Sequence, residues 1–140
     1  MKTLITGMMT LFNTGGDFYD DISGRLFFGN APEGTDLSEG PFAVFFPVSD
    51  TNDDTFSEEM KDVAIQFSLF SGESSPAEIL DMDTHLTALY KDKTFTVSDW
   101  TVVVMRRLQG SGPFNMPADV EAGTGKYWQT DIDFEITIQQ

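Results

Sequence analysis

YWQTDIDFEITI, residues 127–138, is the stretch that decides the fold. Trp128, Thr130, Ile132, Phe134, Ile136 and Ile138 alternate with Tyr127, Gln129, Asp131, Asp133, Glu135 and Thr137. Successive strand side chains point to opposite faces, so this period of two predicts a long strand. Its first set faces a core and its second faces water or a partner. Like charges stacked along one strand face destabilise an isolated sheet. The row Asp131, Asp133 and Glu135 is therefore either well hydrated or met by cations on a neighbour.

The rest of the chain supplies partners for that strand. Residues 62–71 alternate in the same way, with Val63, Ile65, Phe67 and Leu69 on one face. Phe42 to Val48 is apolar on both faces, which predicts a central strand covered on both sides, frayed at Pro47. A polar connection at 50–59 joins the two as a hairpin. Arg25 to Phe28 and the β-branched run Thr101 to Leu108 predict two more strands. Leu4, Ile5, Met8, Met9 and Phe12 share one helical face, and Gly15 and Gly16 end that helix. Asp17 to Asp21 reads as a turn or short helical piece. Ser75, Pro76 and Glu78 carry N-cap, first-turn and capping-box signals for a second helix over 76–91. The expectation is one α+β domain over residues 1–140. It has an antiparallel or mixed sheet of four to five strands, with two helices packed on one face.

Composition narrows the chemistry. The 140 residues include thirteen Phe and carry a net charge of −15. Such a surface repels phosphate backbones, so nucleic-acid binding through a basic patch is not expected. Docking on an anionic membrane is not expected either. No apolar run approaches the roughly 20 residues that span a bilayer. Leu4 to Phe12 is broken by Thr6, Gly7 and Thr10, and no small-x-small site follows, so no cleaved signal is expected. The absence of cysteine removes disulfides, thiolate metal sites and Cys nucleophiles.

Candidate motifs fail one by one. Asp50, Asn52 and Asp54 begin like a calcium loop, but Thr55 replaces the required glycine and Lys61 the bidentate glutamate. Gly123 to Lys126 resembles the end of a phosphate loop, but Val120 and Tyr127 break the pattern and a strand follows. Gly72 to Ser75 is a helix cap, not a nucleophile elbow. The single histidine, His85, lies in mid-helix. No cofactor, metal or catalytic residue is expected.

Two features point to binding instead. Arg106 and Arg107 are adjacent on a strand and so face opposite ways. One is expected to pair within the chain, and the other to reach an acidic neighbour through its planar fork. Residues 110–125 form a Gly- and Pro-rich stretch without periodicity. It is longer than the roughly 12–15 residues beyond which a structureless loop is usually functional. It carries Phe114, Met116 and Val120, apolar groups with no periodic place in the core, which are expected to be covered by a neighbouring subunit or partner.

The order and spacing of elements resembles the tail-terminator, or tail-completion, proteins of long-tailed bacteriophages. The resemblance spans nearly the whole chain. An N-terminal helix leads to a short strand at Gly24 to Phe27, an Ala31-Pro32 turn, and a Pro41 to Phe45 strand. The next strand runs to a helix opening Ser75-Pro76-Ala77-Glu78, and the long alternating strand closes the domain. The resemblance implies a virion protein without catalytic residues. It would form a hexameric ring on the last ring of tail-tube protein, stop tube growth and present a surface to the head-completion or connector protein. DNA would pass such a ring without specific binding. Carboxylates at its lumen would repel phosphates within about 8 Å at physiological salt. A rival reading is an acidic DNA mimic that inhibits a DNA-binding enzyme.

Overall fold

The structure, a computed structural model, describes residues 2–53, 60–97, 100–117 and 126–139. Helices α1 (Lys2–Asn13) and α2 (Asp17–Asp21) precede strands β1 (Leu26–Phe28), β2 (Phe42–Asp53) and β3 (Met60–Ser71). Helix α3 (Ala77–Tyr90) follows, then β4 (Phe95–Val97), β5 (Trp100–Met116) and β6 (Tyr127–Gln139). The strands form one mixed sheet in the order β1-β2-β3-β6-β5-β4. Only the β1–β2 pairing is parallel. The α+β class is as expected. The sheet has six strands because the three-residue β4, too short to show a period, joins its edge. The described residues contain three α-helices, since Asp17–Asp21 is helical, and a single 3-10 turn at Leu37–Glu39.

β6 lies between β3 and β5 and pairs with both along its length. Its burial alternates as its sequence does, with Thr130, Ile132, Phe134, Ile136 and Ile138 buried. These pack with Val63, Ile65, Phe67 and Leu69 of β3 under the helices. Phe67 is fully buried at the centre, with its ring centroid 5.3 Å from Phe45, 5.3 Å from Tyr90 and 5.6 Å from Phe134. The Tyr90 hydroxyl donates to the Met8 carbonyl at 3.0 Å, which ties α3 to α1. Burial pushes the Tyr90 phenol well above its ordinary pKa, so it stays a neutral donor.

Several local expectations need correction. Pro47 does not end β2; a bulge between Pro47 and Ser49 absorbs the irregularity, and pairing with β3 continues to Asp53. Helices cover β2 on one side only: Ala43 and Phe45 face them, while on the other side Val44 is still buried and Phe42 and Phe46 are half-buried. At α3 the N-cap position falls on Pro76, one residue later than expected, and Ser75 stands before it, its hydroxyl accepting from the Ala77 amide at 3.2 Å. Glu78 does not close a capping box. Its carboxylate accepts a 2.6 Å hydrogen bond from the Ser71 hydroxyl and pins the helix start to the end of β3. Asp54 and Thr55 of the calcium-like stretch lie outside the described residues.

His85 on α3 bonds Asp21 of α2 at 2.5 Å through Nδ1, and its Nε2 lies 3.9 Å from Asp17. The Asp21 hydrogen bond raises the His85 pKa, outweighing partial desolvation; the charges of Asp21, Asp17 and Asp81 act in the same direction. A raised histidine pKa stabilises the fold below the unfolded value near 6.5, and the effect is lost as pH rises through the folded value.

Phe67→Ala should cost about 3–5 kcal/mol, read as a lower urea midpoint with an unchanged slope. His85→Gln should destabilise the chain at pH 5.5 and make little difference at pH 9. Urea titrations of both proteins at the two pH values check this, and an equal gap at both would contradict it.

Candidate functional site

The β3–β6–β5 register assigns every strand residue to a face. All three helices lie on the side of Ile65, Phe67 and Phe134, and among the described residues none packs on the other side. That open face carries the odd-numbered residues of β6. Gln66, Ser68 and Phe70 stand opposite Asp133, Asp131 and Gln129 on the β3 side. Arg106, Gln109, Ser111, Phe114 and Met116 stand opposite Glu135, Asp133, Asp131, Gln129 and Tyr127 on the β5 side. Six of the candidate residues thus share one surface: Arg106, Phe114, Met116, Asp131, Asp133 and Glu135.

Arg107 points the other way. Its guanidinium meets Asp83 of α3 at 3.2 Å, and a side chain at Gly110 would collide with it. Arg106 meets Glu135 at 2.6 Å on the open face. Both arginines therefore have partners inside the chain, where one was expected to look outward. The Arg106 side chain is 63% exposed, so its pair contributes only about 0–1 kcal/mol and can exchange partners at low cost.

The acidic row is held in place by neutral donors. Asp131 accepts from the Ser68 hydroxyl at 2.8 Å and from Gln129 at 3.1 Å. Asp133 accepts from Gln109 at 3.3 Å, while its Oδ1 is buried without a hydrogen-bond partner. Asp62 of β3 accepts from Thr137 at 2.8 Å. These contacts orient the carboxylates without neutralising them, and among the described residues Arg106 alone forms an ion pair with the row.

Next to the row, rings cross the sheet. Phe27 lies 6.3 Å from Phe42, Phe42 stacks on Phe70 at 4.9 Å, and Phe70 lies 6.2 Å from Tyr127. The Arg25 guanidinium sits 5.5 Å from the Phe42 centroid. Phe114, 51% exposed, and Met116 extend the stripe onto β5. The sequence places Tyr127 on the outward face of β6, but it does not mark Phe27, Phe42 and Phe70 as surface groups. The available signal was the doubly apolar 42–48 strand, which was assigned to double coverage.

The first part of the expected structureless loop, residues 110–116, is strand, and residues 118–125 lie outside the described residues. β5 runs on through Gly110 to Met116, paired with β6. Bulges fall between Val102 and Val104, Arg107 and Gln109, and Ser111 and Phe114. Each shifts the alternation by at least one residue, which erases the period of two from the sequence. Gly112 has a φ of 107°, and a β-carbon there would lie 2.9 Å from the Gln129 carbonyl oxygen, so the last bulge requires glycine. Val120 lies outside the described residues.

Among the described residues no group of three or more His, Asp or Glu is placed to hold a metal ion. The surface offers carboxylates, half-covered rings and one exchangeable arginine, a combination suited to protein contact.

No protein-family model and no curated protein matches the sequence. The fold is similar to that of a chain in a solved structure described as the virion of a native gene transfer agent (GTA) particle. That match has a TM-score of 0.66 at 12% identity and covers 95% of this chain and 92% of the other. At this identity the likeness is one of fold.

Proposed function

We propose that this chain is a structural protein of a phage-like virion and acts by binding, not by catalysis. The observation that carries the reading is the fold shared nearly end to end with a chain of a gene transfer agent virion. An unhelixed sheet face rich in rings and carboxylates supports it, because such a face is suited to being covered by protein.

Within that class the role we propose is tail terminator at the head–tail junction. Copies of the chain, six by the family resemblance, close a ring on the last ring of tail-tube protein. The ring stops tube growth and receives the head-completion or connector protein. Contacts between copies are then heterologous and must close. The charge of −15 opposes that closure, and added salt or a partner reduces the repulsion. DNA crosses such a ring without being gripped.

Purified chain should therefore be a monomer or weak oligomer at low salt and shift toward a closed ring at about 0.5 M salt, where the screening length falls below 8 Å. Sedimentation and native mass at both salts test this. A strict monomer at every salt that also fails to bind tail tubes would overturn the ring. Phe114→Ser with Met116→Ser should abolish binding to tubes or neighbouring copies while the Tm barely moves. A large fall in Tm would instead place those side chains in the domain's own core.

A further inference from the structure

The two outer edges of the sheet are capped over only part of their length. β4 pairs with β5 at Trp100–Val102, and the Asp92 amide donates to the Met105 carbonyl, where that cap ends. At the other edge β1 pairs with β2 at Ala43–Phe45, and the Gly29 amide donates to the Phe45 carbonyl. Among the described residues no backbone bonds the outer side of β5 from Arg106 to Met116, or of β2 from Phe46 to Asp53. Such a row of unpaired amides and carbonyls is a template for a strand of another chain.

We propose that each of these edges is covered by the other edge of a second copy, with β5 of one chain pairing antiparallel with β2 of the next. The inference rests on the ring reading above and gives that ring its contact. Charge selects the pairing. The uncapped part of β5 holds Arg106 and Arg107 and no acid, and that of β2 holds Asp50 and Asp53 and no base. The Arg106 side chain, exposed in its pair with Glu135, can be shared with an acid of the neighbour. Joining β5 to β5, or β2 to β2, would bring like charges together and end at two copies, whereas joining unlike edges is heterologous, the kind of contact that closes rings. Leu108 and Phe114 on β5 and Val48 on β2, each about half exposed, add apolar area at the joint.

Direction and register agree with it. β2, β3, β6 and β5 are successively antiparallel, so β2 and β5 run in opposite senses, and copies related by rotation join them antiparallel. The caps sit diagonally: β1 is level with Thr130–Ile132 of β6, and Met105, where the other cap ends, is level with Ile136. Asp53 is level with Gln139 and Gln109 with Asp133, six residues apart along β6. Sliding the neighbour by that amount, about 20 Å, sets its Asp53 opposite Gln109 and its Phe46 opposite Met116. The slide carries the neighbour's β1 past Tyr127, beyond the end of β5, and its Asp53 stops short of Met105. Both caps are then clear, and Arg106 and Arg107 stand just beyond Asp53. A sheet that closes around an axis requires a stagger of this kind.

The contact is made by backbone, so hydrogen exchange on wild-type protein tests it. Amides of 109–116 and 46–53 should exchange about tenfold more slowly in the assembled state, reached by salt or on tail tubes, than in the monomer, with α3 unchanged. The chain has no cysteine, and the slide sets Thr51 opposite Ser111. Thr51→Cys with Ser111→Cys should therefore oxidise to a covalent ladder that stops at the ring size, and Ser111→Cys alone should give no covalent dimer. A ring mass with unchanged exchange at both edges would overturn the joint and leave the ring standing. A Ser111→Cys dimer, or slowing at one edge alone, would overturn the pairing of β5 with β2. Slowing at both edges without a ladder would overturn the register. A chain that neither assembles nor binds tubes would overturn the joint and the ring together.

Discussion

β6 is paired on both sides, by β3 and by β5, and the rest of the molecule depends on that double pairing. Because its residues alternate strictly, it forces its neighbours to sort their own side chains by face. Val63 to Leu69 turn inward beside it, and the helices close over them. Phe67, Phe134 and Tyr90 meet there, and the Tyr90 hydroxyl carries the connection to α1. A slip of one residue in β6 would move Ile132, Phe134 and Ile136 to the open face and the carboxylates into the core. Burying unpaired carboxylates costs several kcal/mol each, so the register has no near competitor.

The same alternation gives the molecule an open side. Helices cover one face of the sheet and leave the other with Asp131, Asp133 and Glu135 beside a band of rings. An isolated protein gains nothing from half-exposed rings next to carboxylates held in place by Ser68, Gln109 and Gln129. A protein that works by being covered has a use for both, the rings contributing apolar area and the charges limiting which surfaces can approach. Low basic content then becomes a constraint on assembly. Arg106 and Arg107 have acids within the chain, which leaves few cations to meet another acidic copy.

Much of this was legible in the sequence. The alternation of β3 and β6, the face of α1 and the start of α3 just after Ser75 are local signals, and local signals survive where backbone geometry is regular. Adjacency on a strand placed Arg106 and Arg107 on opposite faces. The far half of β5 was hidden because three bulges and Gly112 break the period that identifies a strand. The aromatic band was hidden for a different reason. An apolar residue at the surface looks the same in sequence as one under a helix, so Phe42 and Phe70 could be placed only when the register was known. The three residues of β4 carry too little pattern to be read at all.

In the role proposed above, copies of this chain gather at one end of a tail tube. Electron micrographs of assembled tail tubes incubated with the chain, labelled by a small tag, test it most directly. Label should be confined to one end of each tube, as a closed ring, with tube length fixed once the chain is added. Label spread along the whole tube wall, or tubes that keep growing past bound chain, would contradict it.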